Sequence, residues 1–273
     1  MAIRTPSEIY LYMSHSGNEK ARMTILQLSL SAILGGMFIS LGTLLGMEVA
    51  GLSATSLGFT KFLFGALFPM GFIAITITGA DLFTSDCAYG FLAWRQREIN
   101  AGLLIRYWVL AWVFNFVGAL LTAWLFGLQT HLLTNDGATQ FLISIATGKV
   151  SHTFWVTFVK GILANMMVCT AVILGLSAKE DAFGRIFGIW LMVMAFVVMG
   201  MEHSIANMFI IPAAMMAGAN ITIGQFVFNN LIPATLGNIV GGVLLIAWPY
   251  ALIHLSKGKS ALLKSGTTSK PVA

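Results

Sequence analysis

Gly79-Ala80-Asp81-Leu82-Phe83-Thr84-Ser85 and Gly200-Met201-Glu202-His203-Ser204-Ile205-Ala206 are two polar interruptions, each set inside an apolar stretch long enough to cross a membrane. Carboxylates, hydroxyls and an imidazole are costly in hydrocarbon, so their clustering at two matching depths predicts broken spanning helices that line a shared polar path. Such a path is expected of a pore or carrier. Composition agrees, because 58% apolar residues, 9% charged residues and a mean hydropathy of +0.86 do not suit a soluble domain.

Windows of roughly 20 apolar residues, the length a helix needs to cross about 30 Å of hydrocarbon, number six: 25–47, 60–84, 104–127, 154–176, 186–203 and 231–255. The second and fifth resume beyond their breaks as short pieces, 86–94 and 205–217. The expected fold is an all-α membrane protein. Residues 1–24 form an N-terminal interfacial helix, 25–256 the six-span domain and 257–273 a disordered Ser-, Thr- and Lys-rich tail. The start Thr5-Pro6-Ser7-Glu8 reads as a helix cap, with Ile9, Tyr12 and Met13 then sharing one face.

Positive charge gathers at Arg4, Lys20 and Arg22, at Arg95, Arg97 and Arg106, at Lys179 and Arg185, and in the tail, whereas the other loops hold little beyond Lys61 and Lys149. This bias predicts that both termini are cytoplasmic. It also accounts for the net charge of +5, so no nucleic-acid partner is implied. The first span lacks a small-residue cleavage site and five more follow, which argues against a removed signal peptide. Cys87 and Cys169 have no metal or disulfide spacing and read as small buried apolar residues; no cofactor, metal or catalytic group is expected.

Asn115-Phe116-Val117-Gly118 in the third span returns as Asn238-Ile239-Val240-Gly241 in the sixth, and the two breaks repeat at nearly the same offset. Three spans per repeat is an odd number, so the halves would form an inverted pair, entering the membrane from opposite sides. Gly35, Gly36, Gly118, Gly161, Gly241 and Gly242 would allow close helix contact. Each second half-helix then begins near the bilayer centre with its positive dipole end inward, where an anion is stabilised. Phe68 and Phe72 share a face of the second span, which suits plain packing or a pore lining equally.

Gly79 to Ser85, Glu202-His203-Ser204-Ile205-Ala206-Asn207-Met208-Phe209, Gly161 to Cys169 and Asn230 to Asn238 together resemble the formate/nitrite transporter family over nearly the whole chain. The resemblance implies an aquaporin-like protomer in a homopentamer, one pore per protomer, and passage of small monovalent anions: formate first, then nitrite or hydrosulfide. It also implies a bacterial-type inner-membrane location. By the same resemblance Thr84 is the hydroxyl of the first broken loop, His203 the central pore histidine, Asn165 an amide near it, and Lys149 a lysine that draws anions to the outer vestibule. Leu82, Phe83 and Phe196 match constriction positions. Asp81, Ser85, Glu202 and Asn207 are supporting polar groups. Protonation of the anion by, or near, His203 would let a neutral acid pass the apolar rings.

Two residues depart from that pattern. Asp86 stands where an uncharged residue is usual and is expected to cap the following half-helix; Lys160, early in the fourth span, is expected to snorkel outward or to add positive potential. Three other readings compete. An intramembrane serine protease is disfavoured because adjacent Ser204 and His203 point about 100° apart on a helix. A water or small-solute channel would need paired Asn-Pro-Ala starts, where this chain has Ile211-Pro212-Ala213 and Ile232-Pro233-Ala234. A cation-coupled carrier could use Asp81 and Glu202.

Overall fold

The computed structural model describes residues 3–53, 56–133 and 136–254, and the described residues contain helices, turns and no strands. The predicted tail at 257–273 lies outside them. The chain begins with α1 (Pro6–Arg22). Its capping box is formed as expected, with Thr5 Oγ1 accepting from the Glu8 amide at 3.3 Å and the Glu8 carboxylate accepting from the Thr5 amide at 2.6 Å. The buried face differs from the expected one: Tyr10 is buried with Ile9 and Met13, while Tyr12 is exposed beneath the Arg4 guanidinium. Positions 9, 10, 13, 14, 17 and 21 make this stripe, and it packs on α5.

The helix α2 (Ile25–Leu52) spans about 42 Å at 1.5 Å per residue. Next come α3 (Leu57–Leu67) and α4 (Pro69–Thr78), joined at Phe68 because Pro69 lacks an amide and opens a new first turn. Gly79, at φ 79°, ends α4, and α5 (Phe83–Arg95) follows after three residues. Beyond it, α6 (Ala101–Leu121) passes into a π-helical turn over Thr122–Leu128.

The second half has α7 (Asp136–Ser151), α8 (Phe154–Ser177), α9 (Ala182–Val198) and α10 (Ser204–Met216), with Gly200 at φ 67° marking the second break. The last apolar run, Gln225–His254, contains α11 (Ile232–Val240) between two π-helical turns. Both breaks are shorter than expected, since residues 83–85 and 204–206 are already helical. The helix α7 lies where no span or helix was expected. Ala138, Leu142, Ala146 and Val150 give it a buried stripe one turn apart, a signal too short for a 20-residue window.

Five helical runs are long and apolar enough to cross a membrane, and α9 and α10 are shorter apolar helices. The principal contacts pair α2 with α6 and α8 with α11. Glycine sets both distances. A Cβ on Gly118 would lie 2.1 Å from the Ile33 carbonyl oxygen, and one on Gly241 2.1 Å from that of Ile162. Backbone cannot yield as a flexible side chain does. Gly118→Ala should therefore lower the thermal midpoint of the solubilised protein, by about 1–3 kcal/mol of stability. Gly148→Ala, which meets nothing within 4 Å in α7, should leave it equal or higher.

Candidate functional site: two helix breaks joined by Thr84 and His203

Breaking a helix inside a membrane frees amides and carbonyls that water cannot reach. At the first break Asn115 of α6 takes them up. Its Oδ1 accepts from the Phe83 amide at 2.9 Å, and its Nδ2 donates to the carbonyls of Ala32 at 2.7 Å and Asp81 at 2.9 Å. Asn238 of α11 repeats the set at the second break. Its Oδ1 accepts from the Ser204 amide at 2.8 Å, and its Nδ2 donates to the carbonyls of Gly161 and Glu202, both at 2.9 Å. The recurring Asn-x-x-Gly pattern thus places a glycine for helix contact one turn beyond an asparagine that holds a break.

Each break carries an acid bound to a lysine. Lys20 Nζ lies 2.8 Å from Asp81 Oδ1 and 3.4 Å from the Gly79 carbonyl, and the Tyr107 hydroxyl donates to the same carboxylate at 3.3 Å. Asp81 is buried, while the Lys20 side chain keeps 17% exposure. Lys149 Nζ lies 3.0 Å from Glu202 Oε2, which also accepts from Asn207 Nδ2 at 2.7 Å and Asn230 Nδ2 at 3.0 Å. Lys149 is thus on the last turn of a helix and in an ion pair. Asn207 braces the pair from α10.

The two breaks meet at Thr84 and His203, whose Oγ1 and Nε2 are 2.9 Å apart. His203 is the N-cap of α10, and its Nδ1 accepts the Ala206 amide at 3.1 Å. That bond commits Nδ1 as an acceptor, so in the neutral ring the proton is on Nε2 and is donated to Thr84. Neither ring nitrogen is left for Ser204, which removes the basis for a serine nucleophile. Asn165 holds the other end of Thr84, donating Nδ2 to its carbonyl at 2.9 Å and to that of Asn238 at 2.6 Å. Phe196 stacks on the His203 ring at 5.8 Å between centroids, and Phe68 meets Phe196 edge-on at 5.8 Å.

Phe72 and Leu82 are fully buried. Phe83 instead turns toward an apolar cavity with Trp108, Trp112, Thr235 and Ile239. Two further cavities flank the Thr84–His203 contact. The first, about 280 Å³, is lined by Tyr12, Lys20, Gly79, Ser85, Tyr89 and Arg185; the second, about 60 Å³, by Lys61, Phe68, Lys149, Phe196, His203 and Asn207. Ser85 donates to the Leu82 carbonyl at 2.9 Å.

One of the two departures differs from expectation. Asp86 does not cap α5: neither of its oxygens has a hydrogen-bond partner, because Asn115 already takes the Phe83 amide and the Asp86 amide bonds Leu82 O. Lys160 reaches back along α8 to His152 Nε2 at 2.9 Å. Reading the sequence missed Lys20, Tyr107 and Asn230 as site residues and saw Asn115 and Asn238 only as repeat markers. Nothing local distinguishes Lys20 from the chain's other clustered cations.

A bundle of apolar helices with two interrupted segments meeting at a buried polar contact, and a cavity on either side, defines a membrane channel or transporter. Residues 7–252 match the sequence pattern of the formate/nitrite transporter family, and the chain belongs to that family. It is 37% identical to a Methanothermobacter thermautotrophicus protein named "Probable formate transporter", over 94% of this chain and 99% of the other. It is 34% identical to the "Formate channel BtFdhC" of Bacillus thuringiensis, over 92% and 95%. A solved structure, "Pentameric formate channel with formate bound", superposes with a TM-score of 0.73 at 32% identity, covering 85% of this chain and 98% of that one. These relatives are channels and transporters, not enzymes, and the protein is an integral membrane protein.

Asn238→Ala should strand two buried backbone groups of the break, the Ser204 amide and the Glu202 carbonyl, each costing about 1–3 kcal/mol. A thermal midpoint lowered by far more than Asn229→Ala lowers it would confirm this role; equal effects would contradict it. A second expectation concerns His152, whose pKa is lowered from 6.5, first by burial and then by the Lys160 ammonium. The unfolded chain binds its proton first as pH falls, so this contribution to stability is complete above the ordinary value and is lost toward the lower folded one. Melting curves between pH 8 and 5 should show that loss, and His152→Gln should reduce it.

Proposed function

We propose that the protein conducts small monovalent anions, formate foremost, with nitrite and hydrosulfide as alternative substrates. The path runs from the Lys20 cavity, past Thr84 and His203, to the Lys149 cavity. The observation that carries this reading is the 2.9 Å bond between Thr84 Oγ1 and His203 Nε2, which joins the two helix breaks at one buried point. The matched bonds of Asn115 and Asn238 support two inverted three-helix repeats on an aquaporin-like plan. A pentameric relative supports a homopentamer. The charge bias supports cytoplasmic termini in a bacterial-type inner membrane, with α1 lying at the interface.

Charge draws the anion in, and desolvation selects its form. Lys149 is matched by Glu202, so Lys61 and Lys160, which hold no ion pair among the described residues, supply positive potential on that side. Phe68 and Phe196 beside His203, with buried Leu82 as a further constriction residue, make a bare anion costly. A neutral His203 with Nδ1 committed to a backbone amide has no spare proton to give away. Protonation then occurs near His203, in the hydrated cavity, and the neutral acid receives a hydrogen bond from the Thr84–His203 pair as it crosses.

Flux of formate into proteoliposomes tests this. It should rise as pH falls from 8 toward 5, by roughly tenfold per unit while the neutral acid is limiting. His203→Phe should lower it at least about tenfold, the effect of losing one buried hydrogen bond to the passing acid. Flux indifferent to pH and to His203→Phe would refute the proposal, as would water passage without formate passage.

A further inference from the structure

Asp86 is left unexplained by the arrangement above. It is fully buried, and neither carboxylate oxygen has a hydrogen-bond partner. Lys20 Nζ stands 3.9 Å from its Oδ1, but that ammonium is already bonded to Asp81 at 2.8 Å and to the Gly79 carbonyl at 3.4 Å. Two carboxylates therefore lean on one amine. The titratable groups around Asp86 are Lys20 on α1, Asp81 in the break, Tyr107 on α6, Cys169 on α8, and Cys87 and Tyr89 on its own helix. Lys20 is the single cation in that set.

The second break shows what belongs in this place. Glu202 precedes the start of α10 by two residues, as Asp81 precedes the start of α5, and each acid is held by its lysine. Five residues beyond Glu202 stands Asn207, a neutral amide that donates Nδ2 to the Glu202 carboxylate at 2.7 Å. Five residues beyond Asp81 stands Asp86. A carboxylate there has no hydrogen to donate, whereas a carboxylic acid has one. An ionised Asp86 would be a second buried anion whose neighbouring donors, the Lys20 ammonium and the Tyr107 hydroxyl, are already bonded to Asp81, the arrangement in which one of two neighbouring carboxyls keeps its proton.

We propose that Asp86 is a proton-binding site beside the first cavity: in its acid form it is the neutral counterpart of Asn207 and leaves Lys20 to Asp81. Its ionisation breaks the carboxyl O–H bond and passes the proton to water in the Lys20 cavity. It leaves a negative charge next to Thr84 and Ser85. On the anion-conducting reading, from which only this consequence follows, that charge opposes entry, so conduction from the Lys20 side closes as the site deprotonates.

Infrared difference spectra of the wild-type protein in lipid, taken as pH is stepped upward from neutral, read the site without reference to any transported anion. A carboxylic-acid carbonyl band should be present at neutral pH, vanish at higher pH, be lost in Asp86→Asn, and shift but persist in Asp86→Glu. The absence of such a band from the wild type, its survival in Asp86→Asn, or its appearance only when sodium is withdrawn would overturn the proposal; the last would make the site one for a metal cation. Formate flux measured with pH varied on the Lys20 side should show a step that Asp86→Asn removes, and a step retained in that variant would overturn the gating role. If the band behaves as expected but no formate passes, conduction fails and the proton site stands.

Discussion

Backbone groups freed inside a membrane must be satisfied by protein, and the whole arrangement follows from how this chain meets that requirement. Each unsatisfied group in hydrocarbon costs several kcal/mol, so two helix breaks are tolerable only if something replaces the lost bonds. Asn115 and Asn238 do so with three bonds apiece, reaching both strands of each break and a neighbouring helix. Because each asparagine sits on a long helix packed through glycine against a partner, the breaks are held at fixed depth. Thr84 and His203 can then meet.

Around this point the molecule manages charge by pairing it. A buried carboxylate is stable only with a counter-charge and enough donors, and Glu202 has Lys149, Asn207 and Asn230 on one oxygen. Asp81 has Lys20 and Tyr107. The lysines thereby reach the cavities with their charge largely compensated nearby. The two sides are not equivalent: the Lys20 cavity is the larger, and Asp86 adds an acid on that side where the other has an amide. The two cavities thus differ in their chemistry.

His203 illustrates how local geometry restricts chemistry. An imidazole in an apolar surround invites a role as proton donor, but its Nδ1 serves as the cap of α10. What remains is one N–H directed at Thr84, a hydrogen-bonding device suited to a small oxygen-bearing solute. Phe196 stacks on one face of the ring, and Phe68 meets Phe196 edge-on.

Composition and hydropathy were sufficient for the membrane class and the interrupted helices, because each follows from the cost of polar groups in hydrocarbon and shows in residues close along the chain, whereas Thr84 and His203 were singled out as a central pair by resemblance to the family. The cap of α1 was equally legible, since Thr5 and Glu8 interact across three residues. The face of α1, the helix α7, the partner of Lys149, the freedom of Asp86 from any cap and the purpose of the two asparagines were not. Those features depend on which surface a neighbouring helix occupies and which donor arrives first at a given amide. Asn115 reaches Phe83 from 32 residues away, and Lys20 reaches Asp81 from 61. The order of residues determined that helices would break and where. Only tertiary packing decided what fills the breaks, because contacts between distant segments are set by the positions of whole helices and leave no periodic trace in either segment alone.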